Sequence, residues 1–283
     1  MPDGPLTGTT LSPWVLRAGD FAPAGDDAAL ASRTTSEEGE DMDPLSILVV
    51  AAAVFLVASA AQAVTGFGAA LVAVPLLSMA LGPTRAVVVA VALSGVVTAL
   101  GWWRERDHVV TPAAIRLSVS GLVGMPFGLL ALLVMSESSL TVLISGVVLV
   151  LALAMSIDRG LPGGPTAQVG AGVVSGALVT STSMNGPPLV LALHGSDLSP
   201  RQIRATLQAV FCNQDAIALV AFLALGQVDA TAALAILGGS LGVPLGWAVG
   251  DRLFRVLSPE RFRHFVVGGL FATAIVSGLG VLL

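Results

Sequence analysis

The chain has 283 residues, 55% of them apolar and only 11% charged, with a formal net charge of −5. A typical soluble domain carries about 25% charged residues, so this composition, with a mean hydropathy of +0.90, excludes an ordinary water-soluble domain. Long Val/Leu/Ala runs exclude disorder over most of the length, and a single cysteine, Cys212, excludes a disulfide scaffold or a cysteine-based metal cluster.

Residues 1–43 differ from the rest. They hold nine acids and two arginines with no sustained apolar period, and are predicted to be a disordered acidic tail. Met42, directly before the first apolar run, is a candidate initiation site, which would leave the tail untranslated. The remaining residues carry eleven arginines against nine acids, so the negative balance belongs to the tail and the body is weakly basic.

From residue 45 onward, apolar runs alternate with short polar breaks. A membrane-crossing helix needs about 20 apolar residues, and runs 45–64, 85–103, 112–135, 140–157, 202–225, 231–250 and 262–283 reach or approach that length. Run 167–182 is somewhat short, while 69–81 and 187–194 are too short to span as regular helices. The expected fold is therefore all-α: a polytopic transmembrane helical bundle with eight to ten segments.

The two short runs follow matching breaks, Thr65-Gly66-Phe67-Gly68 and Ser183-Met184-Asn185-Gly186-Pro187-Pro188. Gly68 and Gly186 lie at the same offset as the two copies of Gly-x-Pro-x-Gly, Gly124–Gly128 and Gly242–Gly246. This recurrence divides the body into repeat 1 (44–157), a Pro/Gly-rich linker (158–166) and repeat 2 (167–283), each with a broken or re-entrant short helix. Cytoplasmic loops collect Arg and Lys. Threading the chain with Arg104 and Arg106 inside puts every other body arginine on that side or near it, except Arg85. Loops 136–139 and 226–229, on the opposite side, have none. The two repeats then have opposite orientation, as an odd number of segments per repeat requires.

Inverted repeats with broken helices are the pattern of secondary transporters. Unwound backbone survives in hydrocarbon only where it is buried in protein or lines a cavity, and the helix start after a break is an anion site by its free N–H groups and dipole. Thr65, Gly66, Gly68, Ser183, Asn185 and Gly186 are the candidates for that site; the alternative is a small-residue packing motif. Arg85 and Arg204, each at the start of a long helix, are candidates for bidentate contact with an oxyanion, or else interfacial arginines that snorkel to headgroups. Asp215 is the acid deepest in an apolar run, a candidate proton-coupling group or a member of a buried polar network with Asn213 and Gln214. Gln208, seven residues earlier, shares its helix face. His194, beside the second short run, reads first as a hydrogen-bonding or interfacial residue. No histidines sit at metal-ligand spacing, no Ser/His/Asp set shares a local context, and there is no phosphate-binding loop. The reading holds no metal, no cofactor, no nucleic-acid partner and no enzyme activity.

The set Gln62-Ala63-Val64-Thr65-Gly66-Phe67-Gly68, Val74-Pro75-Leu76-Leu77 and Gly82-Pro83-Thr84-Arg85-Ala86 resembles the sulfite exporter TauE/SafE family, also called toluene-sulfonate uptake permeases. The duplicated Gly-x-Pro-x-Gly segments, Asn185-Gly186-Pro187-Pro188 and Arg201-Gln202-Ile203-Arg204-Ala205 extend the resemblance over about residues 45–283. It implies a multi-pass bacterial plasma-membrane permease for small anions such as sulfite or organosulfonates. An anion channel of the same architecture and a non-transporting membrane protein are the alternatives; oligomeric state is left open.

Overall fold

The structure is a computed structural model that describes residues 42–65, 69–156, 164–194 and 196–256. Most of the acidic tail, most of the first break, most of the linker and the last apolar run, 262–283, lie outside these residues. So do Arg159, Arg261, Arg263 and the side chain of Arg255.

Every element among the described residues is a helix. In chain order they are α1 (Pro44–Thr65), α2 (Ala70–Leu81), α3 (Pro83–Glu105), a short 3-10 turn (Arg106–His108), α4 (Thr111–Val134), α5 (Glu137–Ser156), α6 (Pro165–Thr182), α7 (Gly186–His194), α8 (Pro200–Ala224) and α9 (Ala230–Val256). The bounds agree with the expected runs to within a few residues, apart from the six-residue extension at the end of α9. Local chemistry explains several starts. Pro44, Pro83, Pro112, Pro165 and Pro200 occupy first-turn positions, where a missing N–H costs nothing. Asp43 accepts the Ser46 N–H at 3.2 Å at the head of α1. Ser199 and Gln202 form a reciprocal capping box at the head of α8, Gln202 N to Ser199 Oγ at 3.3 Å and Ser199 N to Gln202 Oε1 at 3.0 Å. Gly82 turns α2 into α3 at φ +83°, ψ 157°, a conformation that only glycine adopts readily.

Helices α3 and α8 pack on each other at the centre. α3 is buried continuously from Ala86 to Leu93, and α8 buries Ile203, Leu207, Val210 and Phe211 against Leu117 of α4 and Leu189 and Leu193 of α7. Flanking this pair, α1 lies along α9 and α4 along α6. The Gly-x-Pro-x-Gly helices make those contacts intimate. A methyl group at Gly124 or Gly128 would overlap the carbonyl oxygens of Val173 and Ala177 on α6. One at Gly242 or Gly246 would overlap those of Ala52 and Leu56 on α1. Each expected repeat thus hands its first long helix to the glycine-bearing helix of the other.

Five helices, α1, α3, α4, α8 and α9, contain segments long and apolar enough to cross a membrane. Their outer faces expose Val123, Phe127 and Leu130 on α4 and Leu237, Leu241 and Leu245 on α9, far more apolar surface than a soluble monomer leaves bare. This is a multi-pass membrane protein. α2, with 12 residues, and α7, with 9, fall short of a bilayer's hydrocarbon thickness.

Contacts gather the arginine-bearing ends. Arg201 Nε bonds Glu105 Oε2 at 3.0 Å, Val110 N donates to Thr206 Oγ1 at 3.0 Å, and Arg116 Nε donates to Gln168 Oε1 at 2.9 Å. At the other end of α3 and α8, Arg85 Nε bonds Asp229 Oδ2 at 2.7 Å, and Glu137 lies against Gly82.

Candidate functional site

The second break is built from backbone that cannot continue a helix. α6 ends at Thr182, and Ser183 turns left-handed at φ 60°, ψ 9° while its N–H still reaches Val179 O at 3.2 Å. It is the one non-glycine residue with positive φ among the described residues. Such a conformation costs about 1–2 kcal/mol and persists where surrounding structure enforces it. The chain restarts as a helix at Gly186. Pro187 and Pro188 carry no N–H, so only Gly186 and Leu189 keep amides in the first turn of α7. Side chains therefore supply much of the hydrogen-bonding capacity at this break.

The break faces a small cavity lined by five helices. α1 sends Gln62 from its last turn, and α2 contributes Ala70 and Leu71, its first two residues, whose amides have no partner within the helix. Ser183, Met184, Asn185 and Gly186 form the opposite wall, with Ser94 and Thr98 from α3 and Phe211 and Asp215 from α8. The volume is about 20 Å3, room for one water molecule. Ser183 Oγ and Gln62 Oε1 are buried without hydrogen-bond partners. Buried polar atoms ordinarily find one, so the cavity holds unused bonding capacity where two helix starts converge.

Asp215 is 3% exposed. Thr98 Oγ1 lies 3.3 Å from its Oδ2 and 3.2 Å from Gly95 O, and Gly95 closes on its Cβ. Among the described residues no arginine or histidine pairs with it. The preceding residue, Gln214, is fully buried and accepts at Oε1 from Ser175 Oγ at 2.8 Å and from Asn185 Nδ2 at 3.0 Å. This clasp fixes the break to α6 and α8. The arrangement gathers two helix starts, hydroxyls and side-chain amides next to one ionisable carboxyl.

Of the residues singled out from the sequence, Ser183, Asn185, Gly186 and Asp215 meet at this cavity. Thr65 is the last residue of α1; its side chain, with Gly66 and Gly68, lies outside the described residues, as does the His194 side chain. Arg85 is not in the cavity. Ten residues of α3, about 15 Å, separate it from Gly95, and its Nε is engaged by Asp229. Partial burial pushes the Asp229 carboxyl up, but the Ala232 amide and Arg85 outweigh that and hold it below the usual carboxylate range. Arg204 lines a different and larger cavity between α3, α8 and α9. Gln208 and Asp215 do share a face, set against Gly101 and Gly95 of α3. Ser94 and Thr98 escaped the sequence reading, as did the wall position of Gln62; their signal was a polar side chain within a long apolar run.

The family model described as Sulfite exporter TauE/SafE matches residues 51–277. The chain belongs to this family. The match covers both breaks, both Gly-x-Pro-x-Gly segments and all the described helices except the first turns of α1, so the cavity lies wholly within the TauE/SafE region. Among curated proteins and solved structures, none matches the chain. Membership makes this a membrane permease of a transporter family, in keeping with the helical bundle and its apolar exterior.

Proposed function

We propose that the protein is a plasma-membrane permease that moves a small anion, such as sulfite, an organosulfonate or a related sulfur species, by alternating access. The observation that carries this reading is the convergence of the start of α2, the Ser183–Gly186 break and Asp215 on one small cavity. Helix starts favour anions, and broken helices meeting at mid-membrane are the pattern of secondary transporters. Thr65, Gly66 and Gly68 would complete the first half of the site. At about 20 Å3 the cavity is far smaller than a conducting pore, which supports a carrier over a channel.

The reciprocal packing of α1 with α9 and α4 with α6 supports two inverted repeats, 44–157 and 167–283, that rock against each other about the site. Asp215 is the coupling group in this reading, taking up and releasing a proton as the cavity opens to each side, with Thr98 holding its carboxyl. Arg85 and Arg204, at opposite ends of the α3–α8 pair, are the oxyanion contacts outside the cavity. The arginine-bearing end faces the cytoplasm.

The test is flux into liposomes containing the purified protein, with labelled sulfite, sulfate and organosulfonates under an imposed pH gradient. Saturable uptake of at least one sulfur anion, driven by the gradient, is expected. No flux of any anion would sink the proposal.

A further inference from the structure

We propose that the cavity between α3, α8 and α9 is a second binding site, which takes an organic anion with an apolar body before it reaches the buried pocket. Its volume is about 480 Å3, within the roughly 300–1,000 Å3 of small-molecule sites. The buried pocket, at about 20 Å3, has no room for such a molecule in this conformation.

The charges at the cavity are not balanced. Glu105 is its one acid, and that carboxylate is already bonded by Arg201 at 3.0 Å. Arg104 and Arg204 also line the cavity, and neither makes a hydrogen bond or ion pair with a described residue. The Glu105 carboxylate also feels the charge of Arg204, so three arginines stand around one acid. The excess positive charge favours an oxyanion, and the planar guanidinium forks match a sulfonate or carboxylate. The rest of the wall is largely apolar, with Leu100, Val243 and Trp247, and suits the body of the same molecule. On the other flank of α8, by contrast, Leu117, Leu207 and Phe211 pack into a buried cluster with α4.

The position of the cavity fits passage inward. Arg204, Gln208 and Asp215 stand at i, i+4 and i+11, one face of α8, and Gln208 and Asp215 both pack against glycines of α3. Gln208 lines the larger cavity, Asp215 the smaller. The Gln208 Oε1 atom is buried against Gly101 without a hydrogen-bond partner, and the residue lies about 10 Å along the helix from Asp215. Gln208 thus stands between the arginines and the carboxyl on one face of α8. That shared face, which points from the arginines toward Asp215, favours an anion from solution over a lipid as the occupant.

The inference rests on the transport reading for the direction of passage, and binding can be measured without transport. The experiment is equilibrium binding of radiolabelled benzenesulfonate to the full chain in phosphatidylcholine nanodiscs, with phosphatidylglycerol added in a second arm. Arg104→Gln combined with Arg204→Gln is expected to weaken binding at least tenfold. Ala248→Trp, which fills the cavity and keeps both charges, is expected to do the same. Phosphatidylglycerol should leave wild-type binding unchanged. Binding that is insensitive to both variants, or abolished by phosphatidylglycerol, overturns the proposal. A protein that binds in this way yet carries no anion keeps this site and loses the transport reading. One that carries sulfite without arginine-dependent binding loses this site alone.

Discussion

Asn185 donates from Nδ2 to Gln214 Oε1 across 3.0 Å, and this bond anchors the break before α7 to the middle of α8. Ser175 uses the same oxygen at 2.8 Å. Gln214→Ala removes one acceptor and strands two buried donors, each costing about 1–3 kcal/mol when unsatisfied. The expected result is a lowered unfolding temperature in detergent together with loss of anion flux. Gln214→Glu, which keeps an acceptor oxygen for both donors, should recover more flux than the alanine variant in the same liposome assay.

The glycine contacts predict a sharp contrast within one chain. Gly124→Ala and Gly242→Ala drive a methyl into the carbonyl oxygens of Val173 and Ala52, an overpacking cost of about 1–3 kcal/mol. Gly146, where nothing lies within 4 Å, accepts alanine without such a cost. Thermal unfolding of the three variants should show two clear losses and one change near zero or slightly favourable.

At the opposite end of α3, the Arg85–Asp229 pair is exposed on both sides, 44% and 42%, so its worth is about 0–1 kcal/mol. Its sign with pH follows from Asp229, which sits below its ordinary value of 3.8. The stabilisation is present in full above that value and fades as pH falls through the lower folded-state value. Arg85→Gln should therefore lose slightly in unfolding temperature at neutral pH, and the gap from wild type should close in strong acid. A gap that widens on acidification would contradict the assignment.

Helix positions were legible because apolar length and first-turn prolines are local properties. Runs 112–135 and 202–225 become α4 and α8 with shifts of one or two residues. The second break was legible too, since Asn185-Gly186-Pro187-Pro188 cannot continue a helix at full hydrogen bonding. What the sequence hid is set by distant partners. Arg85 stands at a helix start like a free anion contact, yet its Nε is taken by Asp229, 144 positions away. Thr98 looks like one small polar residue among many until α3 packs on α8 and places it on Asp215. The acceptor role of Gln214 likewise depends on α6 and the break arriving from either side.

Asp215→Asn keeps the shape of the carboxyl and its contact with Thr98 but cannot exchange a proton. In liposomes the variant should insert normally and move anions at a rate that no longer depends on the imposed pH gradient. Undiminished pH dependence would remove Asp215 from coupling.

The central claim is that the cavity at Ser183–Gly186 is the substrate site and opens to one side at a time. Accessibility of a single thiol there tests it most directly: Ser183→Cys in a Cys212→Ser background, treated with a membrane-impermeant thiol reagent from either side of sealed vesicles. The account predicts labelling from each side, with the reactive side shifted by an imposed gradient and labelling slowed by the transported anion. A thiol that no reagent reaches, or one labelled at the same rate whatever anion is present, would contradict it.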